Sequence, residues 1–371
     1  MKSGILALLF SVCFLAGCNS APPAPAGPPV ANAVRAYNGT ASVGDFLTIS
    51  IDANDKTITY KNYTNGQNGI VSYTVNADGS YTIEDPKGNL LAAYEVPGFM
   101  LAVEAANAGP DQDTPALITA VESASASITD FAGRSSNYLQ LRTADGGMEF
   151  GTVTIGAQGD IQHDGYWPFG LLTQPQSFFN GGTFPASSVV EDASGDFFTI
   201  NESNGAQDTV FGTQDGLWAV DTQNGAILGL PKAGTKDFSP FSSGTYNAIY
   251  YEKPNAQMGQ HNFESGTPQE GKAVIVVSAS GLATIRDSQN NTMASGTLAA
   301  IADTPYIYNG SPSKLPDPCY GMFTIRTVTA NSQQDVFASF QGNAVIFSSF
   351  ETGLPVQPNP TYTYFYGVGL K

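Results

Sequence analysis

Period-two alternation runs through this chain from about residue 35 to its carboxy terminus and restricts it to β structure. Phe46, Thr48 and Ser50 alternate with Leu47, Ile49 and Ile51, and Val71, Tyr73 and Val75 alternate with Ser72 and Thr74. Apolar, β-branched and aromatic residues at every second place, between clusters of Gly, Asn and Asp, mark half-buried strands joined by tight turns. Asn76-Ala77-Asp78-Gly79 sits between two such runs, as a type I turn followed by a left-handed glycine would. Asp145-Gly146-Gly147, Gln223-Asn224-Gly225 and Gln341-Gly342-Asn343 occupy similar places. The best helical candidate runs from Thr114 to Ser123, and its β-branched content favours a strand.

The expected fold class is all-β, made of antiparallel domains. From about Gly244 the chain divides into strands at 244–252, 272–278, 281–287, 292–300, 320–329, 335–341, 344–350 and 361–370. Eight strands with short connections match a small up-and-down β-barrel, whose closure removes exposed edges; a β-sandwich is the alternative. The expected divisions are a leader at 1–17, a tether at 18–34 and an amino-terminal antiparallel β domain at 35–170. A hairpin-rich connecting unit follows at 171–243, and a barrel-like domain at 244–371. There is also an internal echo. Gly44-Asp45-Phe46-Leu47-Thr48-Ile49 recurs as Gly195-Asp196-Phe197-Phe198-Thr199-Ile200, each followed by a similar order of hairpins, which suggests a duplicated β unit.

Charge narrows the partners. Only 13% of residues are charged, so the surface is wetted largely by Ser, Thr, Asn, Gln and Gly, and the net charge is −17. A chain this acidic repels phosphates, which excludes nucleic acid as a partner class.

The first twenty residues carry an address. Lys2 precedes an apolar stretch from Ile5 to Ala16, too short to span a bilayer but suited to a signal peptide. It ends in Leu15-Ala16-Gly17-Cys18. Here the chain resembles bacterial lipoproteins, whose lipobox places a Leu and two small residues before a Cys. The resemblance implies diacylglycerol on Cys18, cleavage before it and acylation of the new terminus, with two or three acyl chains holding the protein to a membrane. Asn19, where Asp favours inner-membrane retention in enterobacterial lipoproteins, implies the outer membrane. Pro22, Pro23, Pro25, Pro28 and Pro29 make the following segment an extended tether reaching about 45 Å. Cys13 leaves with the signal, so the mature chain has Cys319 as its one cysteine besides Cys18 and forms no internal disulfide. Cys319 reads as a buried small apolar residue.

Catalytic and metal motifs are sparse. The two histidines, His163 and His261, have no zinc-ligand or nucleophile-elbow pattern beside them. Asp111, Asp113, Asp192 and Asp196 place carboxylates on loops without a complete calcium-loop pattern, and read as solvated turn acids. No catalytic residue, metal or cofactor is assigned. Aromatics are the other resource: Tyr166, Trp167 and Phe169 could form a ligand platform, or Trp167 and Phe169 could lock two domains together. Tyr306, Tyr308, Tyr362, Tyr364, Phe365 and Tyr366 fit girdles of a barrel. The expected function is that of a lipid-anchored, non-enzymatic envelope protein binding a ligand or a surface partner. A purely structural surface lipoprotein is the first alternative and a membrane-anchored hydrolase the second. A cavity in the carboxy-terminal barrel points to ligand binding, a core filled by side chains to a structural role, and a close carboxylate pair in a cleft to the hydrolase.

Overall fold

The structure, a computed structural model, describes residues 34–109, 114–123, 127–141, 149–166, 179–202, 205–213, 216–257, 269–303, 306–308, 311–313, 317–328, 333–351 and 361–371. The alternation is realised throughout as antiparallel strands, and the all-β expectation holds. The first eight are β1 (Val34–Ala41), β2 (Phe46–Asp52), β3 (Thr57–Asn62), β4 (Asn68–Val75), β5 (Tyr81–Glu84), β6 (Leu90–Val96), β7 (Met100–Ala108) and β8 (Thr114–Glu122). Each pairs with the next and β8 pairs back to β1, which closes a barrel. The Thr114 segment is thus a strand. Leu47, Ile49 and Ile51 point inward with Tyr37, Tyr73, Tyr81, Ile83 and Leu101, and these side chains fill the interior. At one end the buried Glu95 carboxylate receives Arg35 Nε at 2.6 Å, Arg35 Nη2 at 2.8 Å, Tyr37 Oη at 2.5 Å and the Tyr81 hydroxyl.

The second sheet contains β9 (Ser135–Leu141), β10 (Phe150–Ile155), β11 (Ile161–Tyr166), β12 (Phe179–Phe184), β13 (Val189–Glu191), β14 (Phe198–Asn201), β15 (Gln207–Gly212), β16 (Trp218–Thr222) and β17 (Gly225–Pro231). Their order is β12-β11-β10-β9-β17-β16-β15-β14-β13, so β9 and β17 join two meanders. The sheet takes strands from both sides of residue 171. The echoed segments lie at the start of comparable meanders, β2 onward and β14 onward, each after a left-handed glycine, Gly44 or Gly195. The echoes also touch, with the rings of Phe46 and Phe197 5.0 Å apart.

The third sheet contains β18 (Gly244–Gln257), β19 (Gln269–Val277), β20 (Leu282–Asp287), β21 (Thr292–Thr297), β22 (Ala299–Ala300), β25 (Met322–Val328), β26 (Gln333–Gln341), β27 (Ala344–Glu351) and β28 (Thr361–Leu370), with a small hairpin of β23 (Tyr306–Tyr308) and β24 (Ser311–Ser313) beside it in sequence. All eight expected strands are present. The one expected at 292–300 is split at Leu298, whose N–H donates to Gly281 O, so the sheet has nine strands. Its edges, β21 and β22, are consecutive in the chain, which makes it barrel-like rather than a flat sandwich half. Tyr246, Ile275, Ile285, Phe323, Phe340 and Phe347 are among the side chains that fill its inner face.

Each sheet therefore has an inner face, and the three outer faces share one further core. Met100 and Val121 of the barrel, Leu139, Phe150 and Tyr166 of the second sheet, and Phe337, Tyr364 and Tyr366 of the third meet there. Strands at these joints are buried on both faces, as all seven residues from Tyr364 to Leu370 show. Cys319 is fully buried in this core, as expected, and burial pushes its thiol well above the usual range. Polar bonds pin the joints. Thr40 Oγ1 donates to Asp221 Oδ1 at 2.7 Å, Asn137 Nδ2 to Tyr320 O at 2.7 Å, and Lys232 pairs with Asp317 at 2.6 Å.

Candidate functional site

The second sheet leaves space on its concave face. A cavity of about 520 Å³ lies there. Alternation on each strand decides what reaches it. On β9, Ser136, Tyr138 and Gln140 face the cavity while Asn137, Leu139 and Leu141 face the third sheet. On β16, Trp218, Val220 and Thr222 face it while Ala219 and Asp221 face away. Val153, Ile155, Ile161, Val210 and Ile227 line it with Phe131, Phe184 and Phe198, and polar Ser136, Gln140, Glu149, Thr222 and Asn224 lie among them. The 3-10 turn Ile128–Phe131 adds Phe131, whose ring meets Phe198 edge-on at 6.1 Å.

Large side chains find room because their cross-strand partners are glycines. Trp218 pairs with Gly229, and a Cβ built on Gly229 would stand 2.3 Å from indole atoms Cε2 and Nε1. His163 pairs with Gly182, where a Cβ would stand 3.0 Å from imidazole Cε1. Gly165 opens space for the Glu149 carboxylate, which accepts a hydrogen bond from the Tyr138 hydroxyl. Burial and that carboxylate raise the Tyr138 phenol well above its usual range.

The cavity holds unsatisfied polar atoms among the described residues. Trp218 Nε1 and His163 Nδ1 are both buried without a hydrogen-bond partner. A buried donor such as the indole N–H left without an acceptor costs about 1–3 kcal/mol, and His163 Nδ1 is a donor or an acceptor according to its tautomer. Two carboxyls, Glu202 and Asp208, also line the cavity and hydrogen-bond one another. Burial, then the neighbouring Glu202, pushes Asp208 up to about 7. Arg134 stands exposed at the rim.

His163, noted in the sequence as one of two histidines without a motif, stacks on Phe184 at 5.6 Å inside this cavity. Of the aromatic platform residues, Tyr166 lies on the opposite face of β11 from His163. Its ring is fully buried in the shared core, and its hydroxyl accepts the N–H of Asp317 at 3.0 Å. Trp167 and Phe169 lie outside the described residues, as do Cys18, His261, Asp111 and Asp113. The Asp192 carboxylate accepts the Ser194 N–H and hydroxyl, capping its own turn. Sequence reasoning passed over Trp218, and the signal that could have found it is a bulky aromatic matched to glycines at 212 and 229 on flanking strands.

No protein-family model matches the chain, and no curated protein matches it either. Among solved structures it is similar to a double mutant of transferrin binding protein B from Haemophilus parasuis Hp5, at 8% identity over 91% of this chain and 76% of that one, with a TM-score of 0.26. It is similar also to isotype 1 transferrin binding protein B from serogroup B Neisseria meningitidis, at 11% identity over 88% of this chain and 66% of that one, with a TM-score of 0.24. Likenesses of this size assign the chain to no family.

Proposed function

We propose that this protein is a lipid-anchored, non-enzymatic component of the bacterial cell envelope that binds a largely apolar small ligand in its second sheet. The anchor is the acylated Cys18, the Pro-rich tether holds the β body off the membrane, and Asn19 favours the outer membrane. The observation that carries ligand binding is the cavity itself. At about 520 Å³ it falls in the ~300–1,000 Å³ range of small-molecule sites, with apolar side chains along its walls and polar ones such as Ser136, Gln140, Glu149 and Asn224 among them. The cavity is bordered by a cluster of buried apolar side chains that includes Phe131, Val153, Ile161, Phe198 and Val210, a wall an apolar ligand would pack against. The neutral fluorophore N-phenyl-1-naphthylamine tests the reading. The soluble Cys18→Ala protein should bind it saturably, and Val153→Trp or Ile227→Trp should abolish binding while retaining a cooperative unfolding transition. Equal binding by parent and both variants would refute the site.

A second reading rests on Glu202 and Asp208, a close carboxyl pair in a cleft. Their direct hydrogen bond leaves no room for a glycosidic bond between them, since glycosidase carboxyls stand ~5 Å or more apart. A proton-sharing dyad that activates water is the enzyme class the pair fits. Hydrolysis of a substrate panel that Asp208→Asn abolishes would establish it.

A further inference from the structure

From the polarity of the cavity, and resting on the ligand-binding reading above, we infer that the ligand is an elongated amphiphile with an anionic, hydrogen-bond-accepting head, of the long-chain carboxylate class. Its head sits at the Arg134 and Trp218 end and its alkyl chain runs along the strands.

Length comes from the register. Trp218, Val220 and Thr222 follow one another along the cavity face of β16, and Asp208 on β15 stands level with Thr222, because Thr209 pairs with Asp221. Four residues of strand, at ~3.3 Å each, separate the Trp218 end from the Asp208 end by about 13 Å. Aliphatic side chains occupy the interval, with Val210 paired to Val220 and Ile227 beside it. An alkyl chain matches such a wall.

The two ends differ in what they lack. At the first, the Trp218 indole N–H and His163 Nδ1 are buried without partners. Arg134 Cδ lies 3.9 Å from the Cβ position of Gly216, two residues before Trp218, and no described carboxylate pairs with the guanidinium. The Trp218 indole N–H and the Arg134 guanidinium are donors, and the Glu149 carboxylate at this level already accepts the Tyr138 hydroxyl, so the missing group is an acceptor. At the other end, Glu202 and Asp208 already satisfy each other, and their charge repels an anion. Orientation follows. A carboxylate buried mid-cavity would lose its hydration at a cost of several kcal/mol, whereas one held at the exposed guanidinium keeps water and gains a charge-assisted hydrogen bond.

The test displaces N-phenyl-1-naphthylamine from the soluble Cys18→Ala protein at pH 7.5 with dodecanoate, dodecanol or dodecyltrimethylammonium, each below its micelle concentration. Dodecanoate should displace it at about tenfold lower concentration than dodecanol, the scale of one charge-assisted hydrogen bond. The cation should be the weakest. Arg134→Gln should remove most of the carboxylate's advantage over dodecanol, and Arg134→Lys should restore part of it. Equal or stronger displacement by dodecanol or the cation overturns the head-group assignment while the cavity stands. Failure of the fluorophore and all three chains to bind overturns the cavity reading as well.

Discussion

The indole of Trp218 covers Gly229, its directly paired partner on the adjacent strand, so closely that a Cβ at 229 would fall 2.3 Å from the ring. The pair builds one wall of the cavity and makes the glycine a steric requirement. Gly229→Ala should therefore push the ring out of place, lower stability by about 1–3 kcal/mol and weaken fluorophore binding. Chemical denaturation and the tryptophan emission maximum read both effects. A variant with parental stability and emission would show that the ring does not rest on residue 229.

The first barrel should depend on Arg35 and Glu95. The Glu95 side chain is fully buried and Arg35 is 10% exposed, with two hydrogen bonds between them. Removing one partner of such a pair strands the other charge, at about 3–5 kcal/mol. Arg35→Met should cost that much by equilibrium denaturation, whereas a loss under about 1 kcal/mol would mean that Tyr37 and Tyr81 alone satisfy the carboxylate.

Stability should fall as pH rises from mildly acidic to mildly basic. Burial pushes Asp208 and Asp221 up to about 7 and Glu270 up to about 8, against about 4 in an unfolded chain. Between pH 4 and 8 the folded protein keeps protons on these groups that the unfolded chain has lost, so each step up in pH favours unfolding, until the effect levels off above about 8. The Tm at pH 5.5 should exceed that at pH 8.5 by several degrees, and Asp221→Asn should flatten the dependence. A Tm that rises over this interval would contradict the assignment.

Anchoring should depend on Cys18 alone. Cys18→Ala should leave the chain unacylated, either uncleaved at this site or released in soluble form, and a variant that fractionates and migrates like the parent would defeat the lipoprotein reading.

Strand positions were legible because alternation and glycine turns are local properties. Gly79 has φ of 81° in the turn expected of Asn76 to Gly79, and Gly342 opens the two-residue link between β26 and β27. Closure was not legible, since it depends on registers summed around a sheet. The closed eight-stranded barrel is the amino-terminal one, while the carboxy-terminal sheet breaks at Leu298 and leaves β21 and β22 as edges. The cavity was hidden for a related reason. His163-Asp164-Gly165-Tyr166 alternates, but both faces of β11 are covered, one by the cavity and one by the shared core, so the pattern does not say which residue meets a ligand. Tyr166 stands out in the sequence only as an aromatic beside Trp167 and Phe169, and Trp218 gains significance only once Gly229 lies opposite it.

Heavy-atom quenching of Trp218 tests the central claim most directly. The chain has two tryptophans, so Trp167→Phe in the soluble protein leaves Trp218 as the sole emitter. Titration with a dodecanol brominated next to its hydroxyl should quench its emission saturably, along the same curve as displacement of N-phenyl-1-naphthylamine. Full displacement of the fluorophore with Trp218 emission unchanged would place the ligand elsewhere and contradict the assignment of the second-sheet cavity as the binding site.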